Sequence, residues 1–416
     1  MATIPSLALL PSGYKASKVY SVLPTDGTGD FDFTRSGSAT RVNSEGLIEL
    51  VSTNVPRLNY PLIDGVVQGC PSLLLEPQRI NLVEYSEAFD NAYWTKSASS
   101  VVSGFTSPSA DSPLGAFKLV EDTVNNTHQI QRSFSFLNQK YSLSAFLKAD
   151  ERNWIKVNLY DGSSSVYAYF DLTNGVVGQE LGANGKIENY GNGWYRCSMS
   201  TTSVVSLGSG NIGFRLAEFD GGTGYTGDGT SGIYIFGAQL EAESYATSYI
   251  PNFGTALGVT RSAETCNNAG DVNTFNDSEG VLMAEISALA DDLTNRFIAL
   301  TDTTANNSVS LFYGGGSSNF IRCEIKSNNI TQAELTTTNY QITNYNKVAI
   351  KYKENNFALW INGTEVSTDI SGSVPIGLND LSFDRANILT FYGNTKQIQY
   401  FPTALTDSEL QALTTL

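Results

Sequence analysis

Short apolar segments recur along the middle of this sequence, and clusters of Asp, Asn, Gly and Ser separate them. Strands in globular proteins are usually this short, and such clusters supply the turns between them. A series of this length at this spacing predicts a β-sandwich or jelly roll. The candidate strands cover residues 116–120, 129–136, 141–148, 154–160, 166–172, 186–190, 194–200, 212–216 and 232–240.

One of these segments, Ile233-Tyr234-Ile235-Phe236, is apolar at every position. Successive side chains of a strand point to opposite faces of the sheet, so both faces of this strand are apolar. That pattern predicts a central strand in a sheet covered on both sides. Gly237 follows directly and predicts a bulge or the close approach of another backbone.

The last third of the chain has its own strand pattern. In "VAIKYKENNFALWINGTEV" two alternating segments flank Glu354-Asn355-Asn356, and Asn362-Gly363 follows. Asn-Gly is the preferred sequence of a two-residue type I′ hairpin turn. Near the C-terminus, Thr406 with Glu409 three residues later forms a capping-box pattern and predicts one short helix.

These patterns predict an all-β protein with two β-sandwich domains, an irregular N-terminal β segment and a short C-terminal helix. The predicted divisions are an N-terminal attachment or packing segment at 1–80, a first sandwich at 81–253, a connector at 254–278 and a second sandwich at 279–416. The N-terminal segment is too short and too rich in turns to own a large core. We expect it to pack against another domain or another subunit.

Charge and hydropathy each exclude one class of partner. The net charge is -16, from 41 acidic and 25 basic residues, and no run of Lys or Arg occurs. Nucleic-acid binding needs a basic surface that neutralises phosphates, so we expect no nucleic-acid partner. No segment approaches the roughly 18 apolar residues of a membrane-spanning helix, so we expect no membrane insertion.

Residues that could carry out catalysis are sparse. The single histidine, His128, has no GxSxG companion, and the four cysteines are far apart without metal-ligand spacing. Carboxylates are plentiful, but no closely spaced pair typical of a glycosidase strand is present. We therefore expect a non-enzymatic protein without a required cofactor.

Two groups of residues are candidates for binding. Tyr167 and Tyr169 share one face of a predicted strand, and Tyr225 lies on a glycine-rich loop, where aromatic rings could stack on a sugar. Asp220 and Asp228 on the same loop could ligate a structural Ca²⁺ ion. The alternatives are ordinary surface tyrosines and aspartates that stabilise turns.

Several blocks in fixed order resemble a module of phage head-spike and tail-fibre proteins, which is similar to carbohydrate-binding jelly rolls. The blocks include "FTRSGSATRVNSEGLIE", "PSLLLEPQRINLVEYSEAFDNAYWTKS", "FLKADERNWIKVNL" and "YTGDGTSGIYIFGAQLEAESYATSYIPN". They span about residues 30–265. The C-terminal part, with "LWINGTEV" and "FPTALTDSELQAL", resembles a laminin-G/concanavalin-like sandwich.

The resemblance implies a phage virion protein of the head or tail fibre, spike or decoration type that contacts the host surface. It implies a virion-surface location after assembly in the host cytoplasm. The implied partners are further copies of the chain (a homo-oligomer, with a trimer favoured), other virion proteins and a host-surface glycan. Two alternatives remain open: a lectin-like module whose main function is glycan binding, and a glycan-cleaving tailspike enzyme.

Overall fold

The structure, a computed structural model, describes residues 3–416. Short strands dominate it from end to end. The N-terminal strands are β1 (Leu7–Leu9), β2 (Tyr14–Lys15), β3 (Lys18–Val19), β4 (Phe31–Thr34), β5 (Ala39–Val42), β6 (Ile48–Val51), β7 (Arg57–Asn59), β8 (Leu62–Ile63), β9 (Val66–Val67), β10 (Ser72–Leu75) and β11 (Arg79–Asn81).

Two six-stranded antiparallel sheets form the first sandwich, and the short strands β15 and β24 pair separately with each other. Sheet one has the strand order β12-β16-β23-β18-β19-β20, and sheet two has the order β13-β14-β25-β17-β22-β21. The strands are β12 (Thr95–Ser97), β13 (Ser99–Phe105), β14 (Ala116–Glu121), β15 (Asn125–Thr127), β16 (Gln129–Phe136), β17 (Ser142–Ala149), β18 (Trp154–Tyr160), β19 (Ser165–Asp171), β20 (Val176–Leu181), β21 (Ala183–Asn189), β22 (Trp194–Thr201), β23 (Gly208–Ala217), β24 (Gly224–Thr226) and β25 (Gly232–Glu241).

The connector and the second sandwich complete the chain. Connector strand β26 pairs with β11, and β27 pairs with β4, so both pair with the N-terminal segment. The strands are β26 (Val259–Arg261), β27 (Thr265–Asn267), β28 (Glu279–Ala288), β29 (Arg296–Thr301), β30 (Ser308–Tyr313), β31 (Ile321–Ser327), β32 (Ile330–Thr337), β33 (Asn346–Lys353), β34 (Phe357–Ile361), β35 (Thr364–Asp369), β36 (Asp380–Ser382) and β37 (Gly393–Phe401), followed by helix α1 (Asp407–Thr414).

The N-terminal segment adds strands to the larger sheet of the second sandwich, whose order is β35-β34-β33-β28-β37-β10-β7. Strand β37 pairs with β28 along one edge and with both β1 and β10 along the other. Leu7, Leu9, Leu73 and Leu75 thereby enter the core of the second sandwich. The apolar runs of the N-terminal segment are buried within the same chain, against strands more than 300 residues away in sequence.

This arrangement makes a truncation informative. After deletion of residues 276–416, we expect the first sandwich to stay folded, because strands from outside the deleted part make up both of its sheets. Strands β1 and β10 lose their partner, so Leu7 and Leu73 become exposed. Limited proteolysis should then cut within residues 1–80 and leave a protected fragment near 81–253. Aggregation of the truncated chain, or loss of its β signal in circular dichroism, would show that the two sandwiches fold as one unit.

The two faces of the first sandwich differ in their surroundings. The outer face of sheet two is covered, since Phe146, Trp194 and Phe236 pack there against Ile48 of the N-terminal segment and Tyr249. Strand β25 lies between β14 and β17, so it is central and covered on both sides. Gly237 has φ 62°, beside a shift in register between β25 and β17.

The predicted fold class is confirmed: the chain is all-β, with two sandwiches, an irregular N-terminal β segment and a short C-terminal helix. In helix α1 the side chain of Thr406 accepts a hydrogen bond from the Glu409 N–H, and the Glu409 carboxylate accepts one from the Thr406 N–H. Within residues 3–416, no helix has the length and apolar character that crossing a membrane requires.

Candidate functional site

Strand β18 separates the core of the first sandwich from a polar outer surface. Its side chains alternate: Ile155, Val157 and Leu159 enter the core, whereas Lys156 and Asn158 point to the other side of sheet one. The pleat of a strand enforces this alternation, so neighbouring strands in register bring further side chains to the same side.

The register assembles a continuous outer surface from four strands, β16, β23, β18 and β19. One row across the sheet runs from β16 to β19, with each residue directly opposite the next, and a second row lies beside it. We call these rows the polar face. The first row is Gln129, Arg215, Lys156 and Tyr169, and the second is Gln131, Gly213, Asn158 and Tyr167.

Two tyrosines and a lysine form the aromatic end of the polar face. The rings of Tyr167 and Tyr169 meet edge to face with centroids 5.6 Å apart. The Lys156 Nζ atom lies 3.7 Å from the Tyr167 centroid and 5.4 Å from the Tyr169 centroid. A cation over an aromatic ring is attracted by the ring's quadrupole. The rings therefore hold the Lys156 ammonium group at a fixed place on the surface.

The polar face has two positive charges side by side. Lys156 and Arg215 are directly opposite each other on neighbouring strands, and both are half-buried. Burial, with a smaller contribution from the Arg215 charge, lowers the pKa of Lys156 to about 8. Burial also lowers the pKa of Arg215. Neither residue forms a salt bridge with a carboxylate in the part of the chain that the structure describes.

Several polar atoms of this surface have no hydrogen-bond partner among residues 3–416. They are Gln129 Oε1, Asn158 Oδ1, Asn211 Oδ1 and Arg215 Nε. Asn158 is only 1% exposed. Buried polar atoms are normally hydrogen-bonded to protein or to water, so these atoms are free to accept or donate further hydrogen bonds on this surface.

Trp154 and Asp220 border the polar face. Trp154 packs close to Gly178, where an added Cβ would lie 2.6 Å from the indole and 2.6 Å from Asp220 Oδ1. Asp220 Oδ1 accepts a hydrogen bond from the Gln179 N–H at 2.8 Å. The aspartate predicted as a calcium ligand thus fixes the loop beside the polar face.

The structure places the three sequence-predicted tyrosines in two different environments. Tyr167 and Tyr169 lie together on the polar face, with Tyr169 only 3% exposed. Tyr225 is buried elsewhere, and its hydroxyl donates a hydrogen bond of 2.7 Å to Glu121. The Arg152 guanidinium also lies 5.0 Å from the Tyr225 ring centroid. Tyr225 therefore anchors the glycine-rich loop through buried contacts.

Asp228 is engaged by its own turn. Its carboxylate accepts hydrogen bonds from the N–H groups of Thr230 and Ser231 and from both of their hydroxyls. Across residues 3–416, no three side chains of His, Cys, Asp or Glu are grouped to hold a metal ion. The calcium site at Asp220 and Asp228 remains a prediction without a third ligand in view.

Sequence reasoning missed Lys156, Arg215, Gln129 and Asn158 as site residues. The alternation in "NWIKVNLY" already placed Lys156 and Asn158 on one face of a strand. Arg215 alternates in the same way with the apolar residues of "IGFRLA". What the sequence did not contain was the register that sets these positions opposite one another.

The chain shows only weak similarity to known proteins. No family model matches the sequence, and no curated protein sequence matches it. Among solved structures, the chain is similar to the CBM40 module of a Ruminococcus gnavus IT-sialidase bound to α2,3 sialyllactose. That similarity has 16% identity and a TM-score of 0.31, and it covers 35% of this chain and 91% of that one.

Two further solved structures are similar to the chain. One is NanB with Optactamide, with 16% identity, a TM-score of 0.27, and coverage of 34% of this chain and 24% of that one. The other is the mouse laminin α1 chain, domains LG4-5, with 8% identity, a TM-score of 0.23, and coverage of 75% and 96%. TM-scores this low do not establish a shared fold. The two-sandwich architecture is defined by the strand pairing of this chain.

Proposed function

We propose that this chain is a carbohydrate-binding protein and that its polar face binds glycans carrying an acidic group. The observation that carries the proposal is the adjacent pair Lys156 and Arg215, half-buried on an outer surface without a carboxylate partner in the described residues. Holding two like charges together in a partly desolvated place costs free energy unless an anion neutralises them.

The rest of the polar face suits the uncharged part of a sugar. Glycan hydroxyls both donate and accept hydrogen bonds, and the half-buried amides of Gln129 and Gln131 offer both functions. The half-buried Tyr167 ring at one end can contact apolar C–H surface, and the buried Tyr169 ring supports it edge to face. Gly213 has no side chain and so leaves room between Gln131 and Asn158. A Cβ atom added at Gly213 would lie 3.2 Å from Gln131 Cβ and 3.5 Å from Asn158 Oδ1.

A screen of immobilised neutral and acidic glycans with the full-length chain tests the proposal at pH 7. We expect binding to acidic glycans and little to their neutral counterparts. Binding restricted to neutral glycans would contradict the role of the cation pair. Absence of binding across a broad panel would contradict carbohydrate binding itself.

Glycan binding should depend on pH because of Lys156. Its pKa of about 8 means that it is charged below that value and loses its proton above it. Affinity for an acidic glycan is therefore fully present at pH 6.5 and falls as the pH rises through 8, by roughly tenfold by pH 9.5 if one charged hydrogen bond is lost. Calorimetric titration over this range measures the effect.

A Lys156→Arg variant is the control for this pH profile. Arginine stays charged at all these pH values, so the variant should bind the acidic glycan with nearly constant affinity between pH 6.5 and 9.5. An equal decline in the variant and the natural chain would show that another group titrates.

We propose that the polar face binds glycans without cleaving them. Glycosidases generally place two carboxylates on either side of the scissile bond. The two rows of the polar face contain amides, tyrosines and cations. Two acids at its border accept hydrogen bonds within the chain: Asp171 from Thr173 and Asn174, and Asp220 from Gln179. Release of reducing ends from a bound polysaccharide would contradict this proposal.

The proposal that this chain belongs to a phage particle is supported only by the sequence blocks that resemble phage fibre and spike proteins. We propose a virion-surface protein, assembled in the host cytoplasm, that contacts a host glycan and further virion proteins as a homo-oligomer, with a trimer favoured. Light scattering of the full-length chain tests self-association, and labelling of purified particles tests the location. A monomer at micromolar concentration together with unlabelled particles would contradict both parts.

A further inference from the structure

A cavity of about 460 Å³ lies where three parts of the chain meet. Thr40 and Asn59 of the N-terminal segment line one side, and Asn394 of the second sandwich lines another. Arg196 and Tyr190, from the outer surface of sheet two, line the third. This volume is within the range of small-molecule sites and exceeds the space that one water needs. The cavity is on a different sheet of the first sandwich from the polar face.

Beside the cavity is a network of buried charges. Arg57 pairs with Glu76 at 2.6 Å and with Glu264, Arg35 pairs with Glu264 at 2.7 Å, and Arg261 pairs with Glu76 at 2.7 Å. Arg196 and Glu241 join these ion pairs only through hydrogen bonds with Thr247, which gives four arginines and three glutamates, each no more than 5% exposed. They are Arg35, Arg57, Arg196, Arg261, Glu76, Glu241 and Glu264.

Glu76 of this network is held in the charged form. Burial raises the pKa of Glu76, but the Arg261 and Arg57 charges and the hydrogen bonds from Ser248 outweigh it and hold that pKa well below its usual range. Glu241 accepts hydrogen bonds from Gln239 and Thr247. None of these three carboxylates forms a salt bridge with Arg196.

Arg196 is the cation without a carboxylate. Its Nη2 atom donates to the Thr247 carbonyl oxygen at 2.6 Å and to Ser144 Oγ at 3.2 Å. Its Nε atom is buried and has no hydrogen-bond partner anywhere in residues 3–416. Burial raises the pKa of the neighbouring Tyr190 to about 12, so that hydroxyl stays neutral at pH 7 and does not balance the charge.

The other cations at the cavity wall already have partners. Arg41 pairs with Glu49 at 3.2 Å, and Lys186 pairs with Glu188 at 2.8 Å. Glu188 lies directly opposite Arg196 on β21 but pairs with Lys186, so Arg196 is the cation at the cavity wall that forms no salt bridge. A buried guanidinium without a counter-ion is strongly unfavourable, and its fork of N–H groups matches a carboxylate or a phosphate.

We infer that the three-way cavity is a binding site for a small oxyanion-bearing molecule, whose carboxylate or phosphate group contacts Arg196. The volume leaves room for a body about the size of one monosaccharide attached to that group. Because the N-terminal segment and both sandwiches line the cavity, an occupant would contact all three and stabilise their arrangement. This inference does not depend on glycan binding at the polar face.

The test measures the thermal unfolding of the full-length chain in inorganic phosphate, in acetate and in chloride, all at one ionic strength. We expect a saturable rise in Tm with phosphate or acetate that chloride does not reproduce. A larger effect of phosphate would indicate that the natural ligand carries a phosphate group, and a larger effect of acetate would indicate a carboxylate. An Arg196→Gln variant should weaken the response roughly tenfold or more, and Arg196→Lys should weaken it less.

An Arg215→Gln variant controls for anion binding at the polar face and should keep the full response. If Arg196→Gln does not fold, Ala246→Trp, which places an indole at the cavity wall, should remove the response instead. Equal effects of all three anions would overturn the inference. So would an undiminished response in Arg196→Gln or Ala246→Trp, or loss of the response in Arg215→Gln.

Discussion

A Glu264→Gln variant will be destabilised by roughly 3–5 kcal/mol, the usual cost of removing one partner of a buried ion pair. Glu264 is fully buried, and its carboxylate accepts hydrogen bonds from Arg35, from Arg57 and from the Glu76 N–H. Neutralising it leaves Arg35 without a carboxylate, and Arg57 then has only Glu76, which it shares with Arg261. Denaturant unfolding of the full-length chain, followed by tryptophan fluorescence, measures the loss.

Glu279→Gln is the matched control for this change. Glu279 pairs with Lys353 at 2.7 Å, but the Lys353 side chain is 51% exposed. Surface ion pairs typically contribute ~1 kcal/mol or less, so this variant should unfold almost like the natural chain. A loss below ~1 kcal/mol for Glu264→Gln would mean that the buried network does not hold the N-terminal segment in place.

An Arg215→Gln variant will lose roughly 10- to 100-fold in affinity for an acidic glycan, the range expected when one charged hydrogen bond is removed. The free energy of unfolding should change little, because the substitution also removes repulsion between Arg215 and Lys156. Binding and stability therefore respond differently, which separates a ligand contact from a structural role. Calorimetric titration and denaturant unfolding of the same sample measure the two.

Lys353→Gln is the control for Arg215→Gln. It removes one positive charge, as Arg215→Gln does, but from strand β33 of the second sandwich. Its affinity for the acidic glycan should match that of the natural chain within about twofold, since exposed charges beyond a Debye length of ~8 Å are screened at physiological salt. Equal losses in Arg215→Gln and Lys353→Gln would indicate general electrostatics and not the polar face.

Local patterns predicted the fold class well because turns and strands are specified within a few residues. Asn362-Gly363 joins β34 to β35 with φ 50° and φ 82°, the positive values that a type I′ turn needs. Gly237 takes a positive φ at an irregular register, as its place after an apolar strand predicted. The capping box at Thr406 and Glu409 is another signal of this short range.

The arrangement of distant segments could not be predicted in this way. Strand β1 pairs with β37 by placing Leu7 opposite Tyr400, and no pattern around Leu7 indicates that partner. The polar face depends in the same way on Lys156 being opposite Arg215. A shift of one residue in either strand would turn one of these side chains into the core. Local sequence therefore predicts where the strands are, whereas the pairing between distant strands determines which side chains form the site.

The most direct test of acidic-glycan binding compares two forms of one oligosaccharide at pH 7. One is the best acidic glycan from the screen, and the other is the same oligosaccharide with its acidic group removed by carboxyl reduction or desulfation. Titrated into the full-length chain, the acidic form should bind at least about tenfold more tightly, and Arg215→Gln should abolish that difference. Equal affinity for the two forms, or a difference that Arg215→Gln leaves intact, would contradict the role of Lys156 and Arg215.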